Sequence, residues 1–252
     1  MNMKNITVIK FGGSLSKNER ARKNFLDELC RLFKKETVVL VHGGGPEINA
    51  WLKKLGVESR FIKGLRYTDK PALEIVEMVL SGKVNKGFVG ELYKRGVLAC
   101  GVSGRDCGLA PSRRIKKLGF VGEPGKINTG LLKALLAAGF MPVVSSLGFS
   151  PDGGALNLNA DSLAMAIAVS LKARRLVLLT DVRGVLDGEG RTIPCIKLPA
   201  VGGLISSGIV TGGMIPKIRA CGASVNKGVR EVWIADGASG LKNLKGTLIK
   251  AS

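Results

Sequence analysis

Apolar residues in this chain fall into short unbroken runs, separated by glycine turns and by stretches with helical spacing. Ile6 to Phe11 is such a run and reads as a strand buried on both faces, ending in Lys10-Phe11-Gly12-Gly13-Ser14. Ala21 to Lys35 then carries Phe25, Leu29, Leu32 and Phe33 on one helical face. Thr37 to Val41 is a second buried strand, ending in His42-Gly43-Gly44-Gly45-Pro46, and Pro46 suits the first turn of a helix bearing Ile48, Trp51, Leu52 and Leu55. Strand, helix, strand and helix at this spacing predict a right-handed parallel βαβ unit.

The pattern is irregular from Val57 to Thr68, with a turn near Lys63 to Arg66. Two helices are expected, over Pro71 to Leu80 and Val84 to Arg95, then a strand over Val97 to Val102 and a hairpin region up to Gly125. A helix over Leu131 to Ala138 and a strand over Pro142 to Leu147 follow. Leu156 to Asp161 alternates as an extended segment would, which sends Asn157, Asn159 and Asp161 to one face and offers Asp161 as the N-cap of a helix over Ser162 to Leu171. Leu176 to Leu179 is another buried strand, delivering Thr180 to Val185 to its carboxyl end. Ile209 to Met214 precedes a helix carrying Lys217, and Glu231 to Ala235 and Thr247 to Ile249 supply the last strands. The expectation is one α/β domain, with two lobes meeting near residue 172.

Composition narrows the class. With 252 residues, 45% of them hydrophobic, the chain is long enough for a sizeable core and too apolar for disorder. Leu131 to Leu147 is interrupted by Lys133, Gly139 and Pro142, so it is not membrane-spanning, and the N-terminal stretch lacks a signal-peptide pattern. Five cysteines with no CxxC pair and a single histidine argue against a disulfide framework or a zinc site. A cytoplasmic protein is expected. The formal charge of +20 favours anionic ligands, but aromatics make up only 5% and lack recognition-motif spacing, so nucleic-acid binding is the weaker reading.

Ligands of open α/β sheets gather at the carboxyl ends of the strands, where Gly12-Gly13, Gly43 to Gly45, Asp181 to Gly184 and Gly212-Gly213 all fall. Two such glycine turns within the first 45 residues point to phosphate handling, although neither the Walker pattern nor GxGxxG is present. Lys10 ends an apolar strand, where an unpaired buried ammonium would be costly, so it belongs at the ligand edge. With Lys217 and Asp161 it supplies two cations and one carboxylate, an arrangement suited to a migrating phosphoryl group. A carboxylate acceptor, already ionised at neutral pH, would need no general base.

Six motifs together resemble the acetylglutamate kinases of the amino acid kinase superfamily: Lys10 to Ser14, His42 to Pro46, Gly64 to Thr68, Asn157 to Asp161, Thr180 to Gly184 and Gly212 to Lys217. Leu80 to Lys86 and Ser103 to Asp106 add weaker support. The resemblance implies a three-layer αβα sandwich around a mainly parallel eight-stranded sheet, an amino-acid lobe over 1–172 and a nucleotide lobe over 173–252. It implies phosphorylation of the side-chain carboxylate of N-acetyl-L-glutamate by MgATP, in arginine biosynthesis. Lys10 and Lys217 would stabilise the phosphoryl and Asp161 would orient both. Gly44 and Gly45 would donate backbone N–H groups, Arg66 would pair with the substrate α-carboxylate, and Asn157 would bond the acetamido end. Gly12, Gly13, Asp181, Val182, Arg183, Gly184, Val185, Leu186, Ile209, Val210 and Thr211 would line the nucleotide. Magnesium would be held chiefly by ATP oxygens, and no protein ligand is named. Arginine-inhibited members of the family look to carry an extra N-terminal helix that builds a hexamer; here only five residues precede the first strand, so an arginine-insensitive homodimer is expected. The rival readings are a sister kinase acting on carrier-bound aminoadipate or glutamate, and a basic nucleic-acid binder.

Overall fold

The computed structural model describes residues 5–12, 18–62, 64–242 and 244–251. Its first half runs β1 (Ile6–Phe11), α1 (Glu19–Phe33), β2 (Thr37–His42), α2 (Gly45–Lys54), β3 (Arg60–Ile62), β4 (Leu65–Tyr67), α3 (Lys70–Glu77), α4 (Asn85–Tyr93), β5 (Ala99–Ser103), β6 (Ser112–Arg114) and β7 (Val121–Pro124). The second continues with α5 (Gly130–Ala137), β8 (Met141–Ser145), β9 (Leu147–Phe149), β10 (Ala155–Leu158), α6 (Ala160–Ser170), β11 (Arg175–Thr180), β12 (Cys195–Lys197), α7 (Ala200–Ser206), α8 (Met214–Asn226), β13 (Glu231–Asp236) and β14 (Gly246–Lys250).

Eight strands form the central sheet in the order β12-β14-β13-β11-β1-β2-β8-β5. The six from β13 to β5 are parallel, and β14 is antiparallel to β13. Alternation along each strand feeds two cores. Ile6 and Val8 of β1 join Val39, Val41, Leu176 and Leu178 under α5, α6 and α8. Ile9 and Phe11 join Val38, Leu40, Val177 and Leu179 under α1 and α4. This is the expected αβα sandwich. The first core also takes in Ile218 and Ile249, so apolar packing is continuous from the first strand to the last. Because Lys10 shares the parity of Ile6 and Val8, its side chain leaves β1 on the α6 side.

The structure departs from the sequence reading in several places. The irregular stretch holds a hairpin, β3 paired with β4, and Lys63 of the expected turn is outside the described residues. The two helices expected over Pro71 to Arg95 are one helical run, because a π-helical segment, Met78–Val84, joins α3 to α4 without a break. Pro142 to Leu147 is two strands parted at Ser146, while β12 and α7 were not foreseen at all. Finally, α6 begins two residues early, at Ala160 and not at Ser162. Its N-cap is Asn159, whose side chain accepts from the Ser162 N–H at 3.0 Å, and Asp161 lies inside the first turn. Strand alternation therefore stops at Leu158. A carboxamide does the capping, and the Asp161 carboxylate is left free to meet cations.

Candidate active site

Three elements meet at the carboxyl end of the sheet. β1 presents Lys10, the first turn of α6 presents Asp161, and the first turn of α8 presents Lys217. Lys10 Nζ lies 2.9 Å from Asp161 Oδ1 and Lys217 Nζ 3.6 Å from Asp161 Oδ2, with side-chain exposures of 14%, 24% and 20% for Lys10, Lys217 and Asp161. A lysine ammonium has three N–H donors, so the contact with Asp161 leaves Lys10 donors for another oxygen. Burial alone would raise the Asp161 carboxyl, but Lys10 and then Lys217 outweigh it and hold the group below the ordinary carboxylate value. Asp161 is thus ionised at neutral pH, and two cations share one anion. The site carries a net positive charge before any ligand arrives.

Gly12 follows Phe11, the last residue of β1, two positions after Lys10. A Cβ there would come 2.7 Å from the Leu179 carbonyl oxygen and 3.4 Å from Lys10 Nζ, so only glycine lets the chain pass between β11 and the lysine. Gly13, also expected to contact phosphate, is outside the described residues.

Beside this centre is a cavity of about 360 Å³, walled by Gly43 to Gly45, Asn49, Phe61, Arg66 and Asn157 among others. It gathers all four residues expected to bind the acceptor: Gly44, Gly45, Arg66 and Asn157. Gly44 caps α2 with no side chain of its own, so first-turn N–H groups are free to face an anion. Arg66 is 8% exposed, which lowers its pKa through desolvation, and no carboxylate pairs with it among the described residues. Neutral groups hold it instead: Nη1 donates to Ser59 Oγ at 2.6 Å, Nη2 to Asn49 Oδ1 at 2.5 Å, and Phe61 lies under the guanidinium at 4.7 Å. An arginine positioned without a counter-charge has the charge and the planar fork to pair with a carboxylate. Asn157 Nδ2 donates to Thr68 Oγ1 at 3.1 Å, which leaves its carbonyl oxygen for a ligand donor. Asn49, Ser59 and Phe61 escaped the sequence reading, since nothing in their spacing links them to Arg66.

The expected nucleotide residues separate by burial. Val182, Leu186 and Ile209 expose apolar side chains at the same end of the sheet, whereas Val185 and Val210 belong to the core under α8. Only the backbone of those two could touch a ligand. Gly184 has φ 124°, and a Cβ there would strike Thr247 Oγ1 at 2.7 Å; that hydroxyl oxygen also accepts from the Val185 N–H, at 2.8 Å. Asp181 accepts from the Thr180 hydroxyl at 3.1 Å. Cys221, one turn after Lys217, is buried; desolvation and then the Asp161 charge push its thiol up to about 12, so it is packing and not a nucleophile. Among the described residues no three acidic, histidine or cysteine side chains cluster as a metal site. No helix among them is long and apolar enough to cross a membrane.

Residues 5–236 match the model of the amino acid kinase family. The acetylglutamate kinase of Endomicrobium trichonymphae is 49% identical over 248 residues, spanning 98% of this chain and 100% of that protein. The acetylglutamate kinase of Granulibacter bethesdensis is 44% identical over 91% of this chain and 82% of its own length. Among solved structures, that of smu.665 from Streptococcus mutans superposes with a TM-score of 0.84 at 34% identity, over 99% of this chain and 100% of that one.

Proposed function

The chain belongs to the amino acid kinase family, among its acetylglutamate kinases, and on that premise we infer that it transfers the γ-phosphoryl group of ATP to the side-chain carboxylate of N-acetyl-L-glutamate, a step of arginine biosynthesis. The observation that carries the reading is the Lys10–Asp161–Lys217 centre adjoining a cavity that holds an arginine without a counter-charge.

Arg66 pairs with the substrate α-carboxylate, and Asn157 bonds the acetamido group. These contacts aim the side-chain carboxylate at the two lysines. In phosphoryl transfer negative charge spreads over the equatorial oxygens of the moving group, so fixed cations do most of the stabilising. Lys10 and Lys217 approach it from opposite sides, and Asp161 keeps them from repelling one another. The acceptor is ionised at neutral pH and needs no base, which agrees with a site whose histidine and cysteines are buried or remote. The nucleotide lies over Gly12, the Asp181 to Leu186 segment and Ile209 to Thr211, with Val182, Leu186 and Ile209 against its base. Asp161 is already committed to two ammonium groups, and among the described residues no acid cluster adjoins it. The donor set therefore fits magnesium held on ATP oxygens, where it screens phosphate charge, and not a metal caged by protein.

We place the amino-acid and nucleotide lobes on either side of residue 172, and the enzyme in the cytoplasm as a homodimer. The deciding experiment is an ATP-dependent hydroxamate assay comparing N-acetylglutamate, glutamate and carrier-bound aminoadipate. Acyl hydroxamate should form from N-acetylglutamate; none from it, or preference for the carrier-bound acid, would remove the assignment.

A further inference from the structure

The glycine loop between β2 and α2 is held from behind. His42, the single histidine, ends β2 and is fully buried. It shares the parity of Val38 and Leu40, so its ring lies on the α4 side against Phe88, with centroids 5.3 Å apart, and it forms no part of the cavity wall. Its Nδ1 is 3.0 Å from the Gly43 carbonyl oxygen, and a carbonyl only accepts, so Nδ1 carries the proton and Nε2 is bare. That bare nitrogen accepts from Asn85 Nδ2 at 3.0 Å. The orientation of the Asn85 amide is fixed independently, because Nδ2 also faces the carbonyl oxygens of Val143 at 2.9 Å and Val102 at 3.3 Å. Burial lowers the His42 pKa to about 4, so the ring stays neutral and keeps this tautomer.

Two glycines make room for the device. A Cβ at Gly101 would lie 1.9 Å from Asn85 Oδ1, and one at Gly44 would lie 2.8 Å from Leu80 Cδ2 and 3.3 Å from Val84 Cγ2. Leu80 and Val84 belong to the π-helical segment, and Asn85 is the residue that follows it. A π turn closes over one more residue than an α turn, which offsets the helix faces on either side of it. That offset lets Leu80 and Val84 meet the loop while Asn85 meets the histidine.

A trans peptide points its C=O and N–H in opposite directions. With the Gly43 C=O drawn toward His42, the Gly44 N–H points away from it. We propose that His42, seated on Asn85, is a positioning residue that turns the Gly43–Gly44 peptide so that the Gly44 N–H faces the transferring phosphoryl group. This rests on the kinase reading above. A donor fixed in advance helps most when charge develops, so its loss falls on kcat more than on KM.

The experiment compares the wild type, His42→Leu and His42→Asn, the last placing an amide N–H near the position of Nδ1. Expected for His42→Leu is a kcat about ten- to a hundredfold lower per folded molecule, with KM for both substrates within about threefold. ADP with aluminium fluoride and N-acetylglutamate should bind that variant more weakly by a similar factor. His42→Asn should recover most of kcat, and the Gly44 amide resonance should move in His42→Leu and return in His42→Asn. Equal kcat in the two variants, or a loss that only follows the folded fraction, would overturn the proposal. If the wild type forms no acyl phosphate, the kinase reading fails by itself, and an unmoved Gly44 resonance then separately rejects the peptide orientation.

Discussion

At the scale of single residues, function here depends on charges being left incompletely satisfied. Asp161 has two ammonium partners, and Arg66 is held by oxygens that carry no charge. Lys217→Ala should lower kcat by on the order of a hundredfold or more with a small change in KM, because the lysine meets its full counter-charge only in the transition state; an unchanged kcat in steady-state assays would show its role to be misread. His42 gives a prediction on stability. Its folded pKa of about 4 is below the unfolded value near 6.5, so the unfolded chain binds more protons between those values. The contribution is fully present above about pH 6.5 and is lost as pH falls toward 4, up to roughly 3 kcal/mol. Urea melts should show this loss in the wild type and a smaller one in His42→Asn. Asp161, with its depressed carboxyl, adds a loss in the same direction at still lower pH.

At the scale of elements, the carboxyl end of the sheet owes its shape to where helices begin. Asn159 caps α6 two positions before Asp161, which turns the carboxylate inward, and Gly44 caps α2 without a side chain. The π-helical segment packs directly on that glycine. Gly44→Ala should therefore destabilise the protein and reduce kcat at least about tenfold, since its Cβ must displace Leu80 or Val84. Gly45→Ala meets nothing within 4 Å, so its thermal midpoint should stay near that of the wild type while KM for N-acetylglutamate rises, because Gly45 lines the cavity. Thermal unfolding and acceptor titrations on the two variants separate these outcomes.

At the scale of the whole molecule, the two ends of the sheet serve different purposes. The amino ends of the strands are tied by a network in which Arg174 Nη2 lies 3.2 Å from Glu36 Oε1 and Arg175 Nε 2.9 Å from Glu231 Oε2, with Thr7 donating to Glu36 Oε2 at 2.7 Å. The carboxyl ends keep the glycine loops and the site. The side edge at β5 is open, and Tyr93 and Leu98 next to it are 71% and 58% exposed. An unpaired edge strand flanked by apolar side chains is suited to a second copy. Light scattering should give about twice the chain mass, and Leu98→Glu should shift it toward one chain mass; a monomeric wild type would reject the homodimer. The excess of 39 basic over 19 acidic residues is spread along the chain, and nothing in the fold explains it.

Local chemistry was enough to read much of this protein. Short unbroken apolar runs bounded by glycine read as strands covered on both faces, glycine turns at their ends read as loops, and a lysine closing such a strand had to find an anion or solvent. The sheet, the glycine loops at its carboxyl end and the meeting of Lys10, Asp161 and Lys217 followed from neighbours in sequence and from motifs. Other features depended on residues far apart in the chain: the Asn49, Ser59 and Phe61 cradle of Arg66, the bond from His42 to Asn85, the merging of two helices through a π turn, and the burial of Val185 and Val210. Periodicity reports which face of an element is apolar. It does not report which distant side chain meets that face, nor where a helix takes an extra residue to fit a glycine on another element, and packing alone decides both.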